Sequence, residues 1–188
     1  ESKNYAMMLV NKYLRVVPVT IHIPIKDITK YLNTELIEKT IKTTHQELNS
    51  RFSISNPNIW ISGLNPHAGE NGTIGDEEQK FIIPIIKKLQ SEGYNLLGPL
   101  SADTMFYGKK RPRFDAAICM YHDQALIPIK TLDFHSSVNL TIGLSFIRTS
   151  PDHGTAFDIA GKNLANPTST IEAIKLAWNM AKKEQKDR

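Results

Sequence analysis

Residues 116–124 read Ala-Ala-Ile-Cys-Met-Tyr-His-Asp-Gln, an apolar run that gives way to polar side chains. Comparable runs rich in β-forming residues occur at Tyr5–Val10, Leu14–Val19, Ile59–Ser62, Leu96–Leu100 and Val138–Ile142. Most of these runs are separated by longer segments with helical periodicity. This alternation predicts an α/β layer structure with a largely parallel sheet.

Three helices are predicted between and after these runs. Asp27 is placed to cap a long first helix, whose apolar positions recur every three or four residues and which ends before Asn56-Pro57. Asp76 and Glu77 open a second helix that stops near Gly93, with Pro84 as a candidate kink. A closing helix begins at about Thr168. Internal repeats and low-complexity segments are not visible.

Composition favours a globular protein over a disordered one, because 40% of the 188 residues are hydrophobic and 22% are charged. The formal net charge is +4, and the basic residues are scattered. Their one cluster is interpreted as a solvated turn, so nucleic acid is not expected as a partner. The cluster comprises Lys109, Lys110, Arg111 and Arg113.

The single cysteine and the hydropathy pattern indicate the cellular compartment in which the protein is expected. Cys119 lies inside an apolar run, where it cannot form an internal disulfide and is expected to pack as a small buried hydrophobe. No apolar run approaches the roughly 20 residues that span a bilayer, and the start, Glu1-Ser2-Lys3-Asn4, lacks a signal-peptide core. A cytoplasmic protein without a membrane partner is expected. The absence of an initiating Met suggests a fragment.

Three histidines follow predicted strands at the strands' C-terminal ends: His22, His67 and His122. In open parallel sheets that edge carries the ligand crevice. Three imidazoles there can form a metal site with an open position for water or substrate. For any one histidine alone, a surface or core role is the simpler interpretation, so the prediction depends on all three sharing this placement.

A loop rich in glycine carries the second of these histidines. Residues 63–75 contain Gly-Leu-Asn-Pro-His-Ala-Gly-Glu-Asn-Gly and end at Gly75, directly before the second predicted helix. Glycine permits positive φ and close approach of a ligand. The loop is neither a Walker A sequence nor a GxGxxG fingerprint. A tight loop that binds nothing is the alternative interpretation.

Cationic and amide side chains also interrupt apolar sequence, at Lys130, Asn139 and Arg148. Asn139 lies between Val138 and Leu140, so on a strand it faces away from them. A buried cation needs an anionic partner, so these positions suit a carboxylate or a phosphate. A structural salt bridge remains the alternative for either cation alone. Downstream, small residues around Gly154 are a weak signal for nucleotide binding against backbone N–H groups.

Several long motifs together resemble the 4-hydroxythreonine-4-phosphate dehydrogenase family of pyridoxal phosphate biosynthesis, over nearly the whole chain. The motifs are Gly63-Leu-Asn-Pro-His-Ala-Gly-Glu70, Gly98-Pro-Leu-Ser-Ala-Asp-Thr104, Met120-Tyr-His-Asp-Gln124, Val138-Asn-Leu-Thr-Ile-Gly-Leu144, Ile147-Arg-Thr-Ser150 and Asp152-His-Gly-Thr-Ala156. The resemblance implies a three-layer α/β/α fold like that of isocitrate and isopropylmalate dehydrogenases.

The resemblance also implies roles for individual residues. His22, His67 and His122 would be the divalent-metal ligands, with Zn²⁺ favoured and Co²⁺ or Mg²⁺ as alternatives. Lys130, Asn139 and Arg148 would contact the substrate, and Asp103 and Lys130 would be catalytic. His153, Gly154 and Thr155 would bind NAD or NADP, although Phe157 stands where the wider relatives usually carry Pro.

At the scale of the whole chain, residues 1–165 are expected to form the metal- and substrate-binding domain. Residues 166–188 are expected to form a C-terminal helix that packs toward an N-terminal domain outside this chain. The implied enzyme is a homodimer with its site near the subunit boundary. It would oxidise and decarboxylate a small phosphorylated hydroxy amino acid with NAD. The alternatives are an erythronate or threonate 4-phosphate dehydrogenase, a metal-dependent hydrolase and a non-catalytic binding module.

Overall fold

The structure is a computed structural model that describes residues 4–107 and 114–186. The basic cluster at residues 109–113, interpreted above as a solvated turn, lies outside the described residues. The described strands form one sheet of seven, in the order β4-β3-β5-β2-β1-β6-β7. The strands are β1 (Ala6–Val10), β2 (Arg15–Thr20), β3 (Ile59–Ser62), β4 (Leu96–Leu100), β5 (Ala116–Tyr121), β6 (Val138–Ile142) and β7 (Arg148–Pro151).

Four neighbouring strands, β4, β3, β5 and β2, run parallel. Beyond them β1 is antiparallel to both β2 and β6, and β7 is antiparallel to β6. The predicted α/β fold with a mostly parallel sheet is therefore confirmed. The sequence interpretation did not include β7, a four-residue strand whose side chains are exposed or half-buried and so lack an apolar run.

The first helix was predicted to be continuous, and that prediction is wrong. Ile28–Tyr31 forms a single turn, α1, and the chain restarts as α2 over Thr34–Ser50. Asn33 separates the two, because its backbone is extended and its Oδ1 accepts the Leu36 N–H at 2.8 Å. Asn33, and not Asp27, caps the long helix; the Asp27 side chain instead pairs with Lys30.

The second predicted helix exists but changes type along its length. Glu78–Ile82 is a π-helical turn that leads directly into α3 over Ile83–Ser91. Pro84 has no N–H to donate, and the wider turn before it accommodates that loss. The remaining helices are α4 (Ala102–Met105), α5 (His122–Leu132) and α6 (Thr168–Lys186), the last beginning where the sequence predicted.

Two hydrophobic cores lie on opposite faces of the sheet. Alternate residues of β5 divide between them: Ile118 joins the core with Ile41 of α2 and Ile85 of α3, whereas Cys119 joins the core with Ile129 of α5. This division confirms a three-layer arrangement. Cys119 has no exposed surface, as expected for a small buried hydrophobe.

Helix α6 packs on the same sheet, with Ala173 and Met180 buried and with Ile174 and Trp178 exposed. Its predicted packing toward an N-terminal domain stays a prediction. In the described part of the chain, no helix is long and apolar enough to cross a membrane.

Candidate functional site

All three candidate histidines follow strands of the parallel block. His22 comes two residues after β2, His67 five residues after β3, and His122 is the first residue of α5, directly after β5. Because these strands run parallel, their C-terminal ends meet at one edge of the sheet. This edge is where ligands bind in open α/β sheets.

His22 and His122 lie side by side. Their ring centroids are 5.4 Å apart, and both rings line a small cavity of about 140 Å³ together with Thr20 and Tyr121. Asp123 contacts His122 at 2.6 Å from Nδ1 to Oδ1. An ionised carboxylate only accepts hydrogen bonds, so Nδ1 of His122 is the donor, and in the neutral imidazole Nε2 keeps its lone pair.

The spacing of this pair fits a shared metal ion. With metal–nitrogen bonds of about 2.1 Å and a ring radius of about 1.2 Å, two imidazole ligands of a tetrahedral ion have centroids roughly 5 to 5.5 Å apart. A carboxylate on the second nitrogen of a ligating histidine, as Asp123 is on His122, is the usual arrangement around such an ion. The distance between two of the three predicted ligands is therefore compatible with one shared ion.

His67 lines a larger cleft of about 700 Å³ beside the first cavity. Tyr121 and Asp123 line both spaces, so the two are neighbours. Asp103 faces the same cleft; its carboxylate accepts the Ser101 hydroxyl at 2.6 Å. The pKa of Asp103 lies below its ordinary value, chiefly because of that hydrogen bond and to a smaller extent because of the nearby His67.

The three histidines do not form one cluster within this chain. Among residues 4–107 and 114–186, no group of three or more His, Cys, Asp or Glu side chains is close enough to hold a metal ion. The assignment of all three histidines as ligands of one ion thus stays a prediction, and this chain assembles only the His22–His122 pair.

The backbone around His67 is unusual. Residues 67–71 all have positive φ, between 40° and 76°, and form a segment that we call the left-handed turn. Only one of its five residues, Gly69, is a glycine. Each L-residue in this conformation costs roughly 1–2 kcal/mol, so surrounding contacts must hold the turn in place. His22 also has positive φ, at 50°.

Lys130 lies at the end of α5, and its ammonium group approaches Asp152. Nζ is 3.5 Å from Oδ2 of Asp152 and 3.3 Å from its backbone oxygen. Burial raises the pKa of Asp152, and the nearby Lys130, His122 and His153 oppose that rise. Asp152 therefore lies against the predicted substrate lysine and within electrostatic range of His122 and His153.

Asn139 and Arg148 lie apart from both cavities, on the β6–β7 hairpin. Oδ1 of Asn139 is buried and lacks a hydrogen-bond partner among the described residues. Arg148 pairs with Thr141 across the hairpin, and its Nη1 donates to the Thr141 hydroxyl at 2.7 Å. The alternating burial of β6 agrees with the predicted outward orientation of Asn139 relative to Val138 and Leu140.

The predicted cofactor residues His153, Gly154 and Thr155 form an exposed loop. A Cβ at Gly154 would meet no heavy atom within 4 Å among the described residues, so the loop is open on that side. The His153 ring lies against its neighbour, with Nδ1 at 3.0 Å from the Gly154 oxygen. The loop offers backbone N–H groups to a ligand but does not enclose one.

Sequence reasoning missed Glu78, which is only 2% exposed and contacts the loop that carries His67. A signal was present in the sequence. Glu78 shares helical spacing with the buried Ile82, Ile85 and Leu89, so a carboxylate occupies the apolar face of its helix.

Comparison with known families identifies the family of this chain. The profile of the family described as "Pyridoxal phosphate biosynthetic protein PdxA" matches residues 1–177. The chain belongs to the PdxA family.

Curated PdxA relatives share much of this sequence. A 4-hydroxythreonine-4-phosphate dehydrogenase from Roseobacter denitrificans is 61% identical over 93% of this chain and 54% of the relative. One from Sulfurihydrogenibium sp. is 52% identical over 94% of this chain and 54% of the relative. The chain thus spans about half the length of the curated relatives it matches.

Solved structures show the same fold. A crystal structure of 4-hydroxythreonine-4-phosphate dehydrogenase from Klebsiella pneumoniae superposes with a TM-score of 0.86 at 41% identity, covering 96% of this chain and 55% of that one. A terephthalate 1,2-cis-dihydrodiol dehydrogenase from Burkholderia xenovorans also superposes, with a TM-score of 0.76 at 33% identity, covering 94% of this chain and 56% of that one.

Proposed function

We propose that this chain is the metal-bearing part of a 4-hydroxythreonine-4-phosphate dehydrogenase. The enzyme would oxidise and decarboxylate its substrate to 3-amino-2-oxopropyl phosphate with NAD or NADP. The observation that carries the proposal is the His22–His122 pair at the C-terminal edge of parallel strands. Membership of the PdxA family and the names of the relatives support it.

A divalent cation bound by imidazoles would polarise the hydroxyl being oxidised and the carbonyl that it becomes. His22 and His122 would hold this ion, with Zn²⁺ favoured and Co²⁺ or Mg²⁺ as alternatives. We propose that His67 of a second copy of the chain completes the site across a homodimer boundary. The exposed apolar residues Ile127 and Leu132, which line the cleft beside His67, support a covering protomer.

The substrate is an anion, and the chain's cations are placed to bind it. Lys130 would exchange its long contact with Asp152 for the substrate carboxylate. Arg148 and the side-chain oxygen of Asn139, which has no hydrogen-bond partner among the described residues, would orient the polar groups of the substrate. Asp103, whose pKa is lowered by its hydrogen bond with Ser101 and which lies beside His67, would accept a proton or orient a neighbouring group at the edge of the cleft.

NAD would accept the hydride, and His153, Gly154 and Thr155 are its proposed contacts. This assignment is supported by resemblance to the cofactor loop of isocitrate and isopropylmalate dehydrogenases. A cytoplasmic location is part of the same proposal, and the single buried Cys119 is compatible with a reducing compartment.

The test is metal-dependent turnover by the intact protein. Reduction of NAD⁺ is followed with 4-hydroxythreonine-4-phosphate and, in parallel, with erythronate and threonate 4-phosphates. We expect the first substrate to be preferred and chelation to stop the reaction. Cleavage of a substrate without nicotinamide reduction would instead identify a hydrolase.

His67→Ala provides the residue-level version of this test, and we expect it to abolish metal-dependent turnover. The matched control is His45→Gln, because His45 lies on α2 against Tyr94 and away from both cavities. Near-normal activity of the His67→Ala variant without bound metal would count decisively against the scheme.

A further inference from the structure

The left-handed turn presents His67, and one side chain holds the start of the segment that leads into it. Oε1 of Glu78 accepts hydrogen bonds from the backbone N–H groups of Leu64 and Asn65, both at 2.8 Å. Its Oε2 accepts the side-chain amide of Asn65 at 3.0 Å. Three donors from two consecutive residues therefore converge on one buried carboxylate.

The turn is also built around this carboxylate. A Cβ at Gly69 would lie 2.5 Å from Oε2 of Glu78, and a Cβ at Gly63 would lie 3.0 Å from Oε1. Gly69 thus leaves room for the carboxylate because it has no side chain, whereas at Gly63 the nearest obstacle to a Cβ is Ala68, at 2.7 Å. The Glu78 carboxylate therefore lies against Gly69 inside the turn and near Gly63 ahead of it.

Filling space on the buried face of its helix is a poor explanation for a carboxylate at position 78. In the part of the chain that the structure describes, N–H donors contact Glu78 and no Lys or Arg forms an ion pair with it. A buried carboxylate is expensive to desolvate, and an apolar residue would fill such a helix position at lower cost. What only a carboxylate provides is a fixed acceptor for three converging donors.

We infer that Glu78 is a positioning residue for the reaction: its carboxylate fixes the left-handed turn and thereby directs His67 into the cleft beside Asp103. The inference rests on the proposed function, since His67 must matter for catalysis or metal binding. Partners of this kind around metal-site histidines typically contribute 10- to 100-fold in metal affinity or activity, roughly the size expected here.

Glu78→Gln is the sharpest variant, because it preserves shape and one acceptor oxygen. The new NH₂ group would meet the side-chain amide of Asn65, which is also a donor. Asn65 cannot flip to relieve this contact without turning its oxygen toward Glu77, whose Oε2 now accepts the amide at 2.7 Å. Glu78→Asp retains the charge but has a shorter reach, so we expect it to restore only part of the function.

Two readouts in the intact protein test the inference: the affinity for Co²⁺ alone, titrated by its visible absorption, and kcat and KM with 4-hydroxythreonine-4-phosphate and NAD⁺. We expect Glu78→Gln to weaken Co²⁺ binding and to lower kcat by about 10-fold or more. Glu47→Gln is the matched control, because Glu47 is equally buried but pairs with Arg51 far from the turn. It should lower the melting temperature while leaving Co²⁺ affinity unchanged.

A double-mutant cycle with His67→Ala gives the decisive comparison. If Glu78 acts through His67, adding Glu78→Gln to His67→Ala should cause no further loss of the remaining Co²⁺ affinity. Additive losses, or parental values for Glu78→Gln alone, overturn the inference. If the parent lacks turnover, the proposed function fails, whereas the Co²⁺ cycle still decides whether Glu78 positions His67.

Discussion

Of the candidate substrate ligands, Arg148 is the one whose side chain is most available to bind an anion. Its guanidinium is exposed and contacts the Thr141 hydroxyl through one nitrogen, so the remaining donors can turn to an anion. We expect Arg148→Ala to raise KM by roughly 10- to 100-fold, the loss of one charge-assisted contact. Arg148→Lys keeps the charge without the planar fork and should give an intermediate KM. An unchanged KM in steady-state kinetics would remove Arg148 from the substrate site.

The raised pKa of Asp152 predicts a specific pH dependence of the free energy of unfolding. Burial raises its pKa above the ordinary 3.8, against the opposing charge of Lys130. As pH rises past 3.8, the unfolded chain therefore releases its proton before the folded one, and the free energy of unfolding falls. Asp152→Asn removes this titration. The melting temperature of the variant, relative to the parent, should rise between pH 3.5 and pH 7.

The control for this experiment is Asp158→Asn, because Asp158 is an exposed aspartate on the same loop. A difference between Asp152→Asn and the parent that stays constant over the pH range, or that falls as pH rises, would show that burial of this carboxyl does not govern its titration.

At the scale of elements, the break between α1 and α2 has a local cause that can be tested. Asn33 accepts the Leu36 N–H and donates to the Tyr31 oxygen, so it ends one helix and caps the next. Asn33→Ala should lower the free energy of unfolding by about 1 kcal/mol in urea titrations, the usual value for a lost cap. Asn33→Asp keeps the accepting oxygen and should remain near the parent. Equal losses in both variants would contradict a capping role.

Hydrophobic runs and periodicity predict most elements, but they do not show a local cap that leaves the period intact or a strand that is held by pairing alone. Buried strands such as β5 and the start of α6 follow from hydrophobic runs and periodicity, which need no knowledge of neighbours. The apolar period also runs across Asn33 without interruption, so the capping side chain was overlooked. Strand β7 is held by pairing with β6 and has no apolar pattern of its own.

Like the secondary-structure elements, the candidate site could be predicted from the sequence only in part. Placing His22, His67 and His122 at one edge required only that each follows a parallel strand. The left-handed turn and the buried Glu78 could not be read from the Gly-rich loop, because both depend on contacts between residues 9 to 15 positions apart. Contacts within the described residues do not bring His67 to the other two histidines, and no local pattern in the sequence decides whether it joins them.

Across the whole molecule, Arg51 joins three parts of the fold. It ends α2, where Nη1 contacts Glu47 at 2.9 Å and Nη2 donates to the Leu144 oxygen beyond β6. Its Nε contacts Glu184 of α6 at 3.0 Å. The residue is 8% exposed and Glu47 only 4% exposed, so the pair is shielded from water. One side chain thus connects α2, the segment after β6 and the closing helix.

Replacing Arg51 should therefore lower the free energy of unfolding by more than the loss of its own hydrogen bonds would. Arg51→Met leaves the Glu47 carboxylate buried without its cation, and breaking such a pair costs roughly 3–5 kcal/mol. The double variant Arg51→Met, Glu47→Gln removes that stranded charge. Urea unfolding should thus find the double variant more stable than Arg51→Met alone, because the two substitutions are coupled. If the double variant instead lost the sum of both single losses, the burial of an unpaired charge would not explain the effect, and Arg51 would contribute through its contacts with Leu144 and Glu184 alone.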